Sequence, residues 1–195
     1  PETQGTGYCR GKIAAIGKGC HAANPTVAEQ SKRNDRTRCF TDLSGDLCMS
    51  KPTLKTREQF KFFLPIQTRW ADNDIYGHVN NVTYYSYFDT AANSLLIQKT
   101  GFNIHNSEII GLVVDSACSF QQELSFPEII EVGVAIGKIG NSSLRYELAI
   151  FKQGQYEAAA QGHFVHVFVD RESRKSTAIP DATRSTLFEY LLLTV

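Results

Sequence analysis

Hydrophobic and polar residues change rhythm twice along this chain. Over residues 1–57 the apolar positions keep no sustained period, and Gly, Ser, Thr, Asn, Lys and Arg dominate. That pattern predicts a flexible or poorly structured extension, with a folded domain over 58–195. From Phe60 the run FKFFLPIQTRW is apolar and aromatic. It predicts a first strand, and Pro65 confines part of it to a sheet edge. Residues 72–80 are polar and read as a loop. From Asn81 the rhythm turns helical: Tyr84, Phe88, Ala91 and Leu95 share one face. Asn80 or Asn81 is the candidate N-cap. Gly101, preceded by Lys99, marks the stop.

Four strand-like stretches follow, at Ile109–Phe120, Glu131–Ile139, Ser143–Phe151 and Ala158–Val169. In the second, Val132, Val134 and Ile136 fall on one face. In the last, His163, Val165, Val167 and Val169 alternate with Phe164, His166 and Phe168. Residues 171–180 read as a charged loop and Thr183–Leu193 as a short terminal helix. One strand, one long helix and then strands in succession imply an α+β domain. Its antiparallel sheet can wrap the helix.

Composition narrows the function classes. The formal net charge of zero gives no general attraction to nucleic acid or anionic membrane. It hides an asymmetry: residues 1–55 hold nine Lys/Arg against five Asp/Glu, or +4, and residues 56–195 hold eleven against fifteen, or −4. No apolar run approaches the ~20 residues of a membrane span. The five cysteines, Cys9, Cys20, Cys39, Cys48 and Cys118, form no CxxC pair. Reduced thiols are expected rather than a zinc site or a disulfide framework. The basic, Ser/Thr-containing leader weakly resembles a transit peptide, against which Glu2, Glu29 and Asp35 argue. A cytoplasmic protein is expected, with a mitochondrial one as the alternative.

The candidate chemistry lies between Arg69 and Asp89, in RWADNDIYGHVNNVTYYSYFD. Asp72, Asp74, Gly77, His78, Asn80 and Asn81 crowd the approach to the helix. A helix start offers free N–H groups and partial positive charge, which favour an anion or an oxygen becoming anionic. On spacing alone, Asp74 is a base or nucleophile, or else it caps a turn. Asp72 is read as the partner of Arg69 that fixes the loop. His78 orients a substrate or holds the loop. Tyr84 is core or pocket wall. There is no GxSxG elbow and no GxGxxG loop, and His163 and His166 point to opposite faces of their strand.

This order of elements, with Arg69, Trp70, Asp72, Asp74, Gly77, His78, Val79, Asn80, Asn81 and Tyr84, resembles the hotdog-fold acyl-CoA thioesterases of the 4-hydroxybenzoyl-CoA thioesterase-like group. The resemblance covers about residues 61–170. It implies a five-stranded antiparallel sheet wrapped around one long central helix. It also implies hydrolysis of a coenzyme A thioester to a free acid, with no cofactor and no metal. The family's catalytic carboxylate falls on Asp74, and the N–H that polarises the carbonyl falls near Asn81. Gly77, His78, Asn80 and Tyr84 become substrate-contacting residues. The turn that holds the coenzyme A phosphates falls on Asn141, Ser142 and Ser143, where this chain lacks the arginines some members carry. Sites at the interface of a homodimer, or of a homotetramer, are implied as well. The competing readings are a non-catalytic acyl-CoA-binding hotdog domain and an enoyl-CoA dehydratase.

Overall fold

The structure, a computed structural model, describes residues 53–194. Most of the extension expected over 1–57 therefore lies outside the described residues. The elements within them are β1 (Phe62–Gln67), α1 (Asn81–Thr100), β2 (Ile109–Phe120), β3 (Ile129–Ile139), β4 (Ser143–Lys152), β5 (Ala160–Asp170) and α2 (Asp181–Phe188). All strands pair antiparallel in one sheet, ordered β1-β3-β4-β5-β2. The sheet covers α1 and has the hotdog arrangement.

The helix begins and ends where its local signals place it. The Asn80 side chain accepts a hydrogen bond from Val82 N, and Gly101 adopts φ 70°, a left-handed conformation suited to glycine. Tyr84, Phe88, Ala91 and Leu95 are buried, joined by Tyr87, Ala92 and Leu96. They pack on Ile130, Val132, Val134 and Ile136 of β3, on Leu144, Leu148 and Ile150 of β4, and on Phe164 and Phe168 of β5. A side chain as fully enclosed as Phe88 contributes about 1.5–3 kcal/mol. The other sheet face carries a smaller cluster of Phe60, Ala135, Ala149, Phe151 and Ala158.

The two sheet edges differ. β1 is short, and Pro65 stands on it opposite Glu131, as an edge strand allows. β2 is twice as long, with Leu112, Val113, Val114 and Phe120 exposed.

The terminal segment departs from the sequence reading. The expected helix over Thr183–Leu193 forms only as Asp181–Phe188. Beyond it the chain runs extended beside β3. Ile136 N donates to Tyr190 O at 2.8 Å, Leu192 N to Ile136 O at 3.0 Å, and Leu193 N to Gln59 O at 3.1 Å. The reason lies in β1, whose pairing stops at Phe62 opposite Val134. The backbone of Ile136 then needs other partners, and the tail supplies them. The folded unit also reaches back before residue 58. Ala158 N donates to Lys55 O, Arg57 N donates to Tyr156 O, and the Lys55 ammonium pairs with Glu147.

Candidate active site

Between β1 and α1 the chain folds into a small hairpin. Asn80 N donates to Asp72 O and Asp74 N to His78 O, both at 2.8 Å, and Gly77 N donates to Asp74 O. Gly77 sits at φ 87°, where a side chain is strained, so this position calls for glycine. Val79 N donates to Leu124 O at 2.7 Å and ties the hairpin to the segment after β2.

Asp72 is buried beneath this hairpin. Its carboxylate accepts from Arg69 N (2.7 Å), Arg69 Nη2 (2.8 Å), Arg69 Nε (3.0 Å) and Tyr87 Oη (2.7 Å). Burial opposes its charge, but the Arg69 and Tyr87 hydrogen bonds outweigh that and hold its carboxyl below the ordinary value. Burial, reinforced by the Asp72 hydrogen bond, pushes the Tyr87 phenol well up. The expected Arg69 partnership is present. Tyr87 was not singled out in the sequence, although its position one turn beyond Tyr84 places it on the helix face that meets the hairpin.

Asp74, unlike Asp72, lines a cavity of about 370 Å³. Its Oδ1 accepts from Tyr76 N (2.8 Å) and His78 N (3.4 Å), so the turn-capping role is real. Its Oδ2 has no hydrogen-bond partner among the described residues. His78, Asn80, Asn81 and Tyr84 line the same cavity. Asn81 is the first residue of α1, and none of the hydrogen bonds among the described residues uses its N–H. Burial raises the Tyr84 phenol to about 12, so it stays protonated at neutral pH. It packs edge-on against Phe120 at 4.9 Å.

The opposite wall comes from the end of β2 and the residues after it: Phe120, Gln121, Gln122 and Glu123. Phe120, Gln121 and Gln122 carry no motif that marks them in the sequence, and Glu123 brings a second carboxylate to the cavity. His78 Nε2 lies 3.1 Å from Glu123 Oε2, a contact that bridges the two walls.

Gly77 and the Asn141–Ser143 turn do not line this cavity. Gly77 shapes the hairpin. The turn lies at the far end of β3, beside Phe168 and Ile179, because β3 runs its full length between Ile129 and Ile139. Arg184 of α2 donates to the Gly140 and Asn141 carbonyls at 2.8 and 3.0 Å and holds the turn. Among the described residues, no group of three His, Cys, Asp or Glu side chains converges on a metal position. No helix among them is long and apolar enough to cross a membrane.

These features have counterparts in known proteins. The chain is 26% identical over 136 residues to the YsmA protein of Bacillus subtilis strain 168, covering 70% of this chain and 91% of that one. The crystal structure of PA5185 from Pseudomonas aeruginosa strain PAO1 is 51% identical; it covers 73% of this chain and all of its own, with a TM-score of 0.71. The BH1999 gentisyl-coenzyme A thioesterase shares the fold at 23% identity and a TM-score of 0.59, covering 65% of this chain and 99% of its own. The model of the thioesterase-like superfamily matches residues 68–187, a span that takes in the Asp72–Asn81 hairpin, all of α1 and four of the five strands. By that match, and by its hotdog architecture, this chain belongs to the thioesterase-like superfamily.

Proposed function

We propose that the chain hydrolyses an acyl-coenzyme A thioester to a free acid and coenzyme A. One observation carries this reading. Asp74, with one carboxylate oxygen unpartnered among the described residues, and Asn81, whose N–H is likewise unpaired among them, line one cavity at a helix start. A thioester carbon placed between them meets a carboxylate on one side and an oxyanion site on the other. Asp74 takes the proton of an attacking water, or attacks the carbon itself to give an anhydride that water then cleaves. As the carbonyl oxygen becomes anionic, the Asn81 N–H and the partial positive charge of α1 stabilise it. The C–S bond breaks, the thiolate leaves and a proton from solvent neutralises it. Asn80 fixes the helix start by its cap. Tyr84 and Phe120 wall the cavity, and His78 braces the hairpin that carries Asp74. The name of the gentisyl-coenzyme A thioesterase that shares this fold supports coenzyme A as the carrier.

Thiol release from a panel of short, long and aromatic acyl-CoAs tests this directly. Steady turnover of at least one is expected. Binding of acyl-CoA without release would make the chain a binding module.

The working unit is a homodimer in this reading, or a pair of dimers. The long, exposed and apolar β2 edge invites a second copy. Trp70, Ile75, Tyr76 and Val82, in the segment between β1 and the first turn of α1, are exposed apolar side chains as well. The Asn141–Ser143 turn, remote from Asp74 within one subunit, can reach a substrate only from another. Light scattering should give twice or four times the chain mass. An active monomer would remove both the dimer and the role assigned to that turn.

A further inference from the structure

The helix-facing side of the sheet contains a polar cluster with no hydrogen-bond partners among the described residues. His166 on β5 is 2% exposed, and neither ring nitrogen has a hydrogen bond among the described residues. Tyr146, beside it on β4, is fully buried, and its hydroxyl has no partner among the described residues. Their ring centroids are 4.9 Å apart. Buried polar groups left this way are uncommon and costly.

The cluster lies next to the free edge of the sheet. His166 pairs across the sheet with Val113 of β2. Its Nδ1 lies 3.1 Å from the point that a Cβ on Gly111 would occupy. A residue without a side chain therefore separates the imidazole from the edge. Phe120, Cys118, Ser116 and Val113 follow one another along the helix-facing side of β2, leading from the cavity to His166. Tyr85 stacks on Phe164, the cross-strand partner of Ser116. Asp89 of α1 is near enough for its charge to act on both Tyr146 and His166. From Asn81 to Asp89 the helix advances about 12 Å.

We propose that this strip holds the acyl group, and that His166 and Tyr146 bind a neutral polar group, a hydroxyl or keto oxygen, near its far end. The inference deepens the thioesterase reading and rests on it. A wholly apolar chain end would leave three buried polar atoms as they are. A hydroxyl can donate to one and accept from another. Burial lowers the imidazole's affinity for protons and keeps the phenol protonated, so both are neutral partners. Asp89 repels a carboxylate at the same place. An extended ten-carbon acyl chain matches the span from Asn81 to Asp89.

Calorimetry with decanoate and 10-hydroxydecanoate tests the idea without requiring turnover. The hydroxylated acid should bind about tenfold tighter, one hydrogen bond's worth. In His166→Phe and in Tyr146→Phe that ratio should fall towards one, with melting temperatures at or above the parent's showing that both variants fold. Equal affinity for the two acids, or a ratio that neither variant changes, would overturn the proposal and leave a trapped water as the cluster's partner. Thiol release from decanoyl-CoA and 10-hydroxydecanoyl-CoA reports separately on the enzyme. Discrimination between the acids with no thiol release sinks the thioesterase reading and keeps the polar end site. Thiol release with no discrimination does the reverse.

Discussion

Asp72 and Asp74 stand two residues apart on one hairpin, in regions that do opposite things with a carboxylate. Around Asp72 the chain supplies four hydrogen bonds and excludes water, so the charge is fixed and fully engaged. Around Asp74 it engages one oxygen with Tyr76 N and His78 N and leaves the other facing a cavity beside a helix start. Salt-bridge geometry alone would draw attention to Asp72, the better-bonded acid. The proposed chemistry needs the less satisfied one. A carboxylate whose lone pairs are all occupied is a poor base and a poor nucleophile, however strongly it is held.

The largest effect that would break this contrast is at Asp74. Asp74→Asn keeps the Oδ1 acceptor and so the turn. In the proposed reaction it removes the base or nucleophile. kcat should fall by on the order of 10²–10⁴, with KM changed little and the melting temperature near the parent's. Turnover within a few-fold of the parent would mean that the helix start alone polarises the thioester and that water attacks unassisted.

A smaller effect, read on stability rather than rate, is expected at Asp72. Asp72→Asn loses the charge that Arg69 and Tyr87 satisfy, and should cost about 2–3 kcal/mol. Tyr87→Phe removes one buried hydrogen bond to a charged group and should cost about 1.5–3 kcal/mol. The pH dependence has a definite sign. The carboxyl of Asp72 is held below its unfolded value, so its contribution is complete above about pH 4. It is lost as pH falls through the lower folded value. Urea unfolding of the parent should weaken over that acid range, and Asp72→Asn should flatten that part of the curve. If Asp72→Asn also abolished turnover in a protein of parental stability, the two acids would have to exchange roles.

How far the sequence reveals these two regions depends on the range of each signal. Asn80 as the cap, Gly101 as the stop and Pro65 on an edge are decided by the residue and its immediate neighbours. All three are visible in one dimension. The Arg69–Asp72 pair is three residues apart and equally visible. The helix face of Tyr84, Phe88, Ala91 and Leu95 follows from a period. Gln121, Gln122 and Glu123 reach the cavity only because β2 lies against β5 and the segment after it returns under Val79, which no local pattern encodes. The tail over Tyr190–Leu193 has strand residues but pairs with β3 only because β1 ends at Phe62. Arg184 on the Gly140–Asn141 carbonyls is set by the packing of α2. The ring of His166 is the clearest case: alternation places it on a face, but only the fold shows that no hydrogen-bond partner among the described residues meets it.

The smallest expected effect concerns the other carboxylate on the cavity wall. Glu123 touches His78 at 3.1 Å, with the two side chains 75% and 43% exposed. Water screens a pair so open, and such pairs are worth about 0–1 kcal/mol. Glu123→Gln retains an acceptor for His78 and the length of the side chain. kcat/KM should therefore change by less than roughly fivefold, with any loss appearing as a raised KM from a looser hairpin. The same measurement is the sharpest check on the identity of the reacting acid. Glu123 shares the cavity with Asp74, so position alone does not separate them. Solvation does: the Glu123 carboxylate keeps most of its contact with water, and a base or nucleophile so well hydrated gains little from the cavity. A loss after Glu123→Gln as large as that after Asp74→Asn would show that the strand end supplies the reacting carboxylate, and would reduce Asp74 to the cap of its turn.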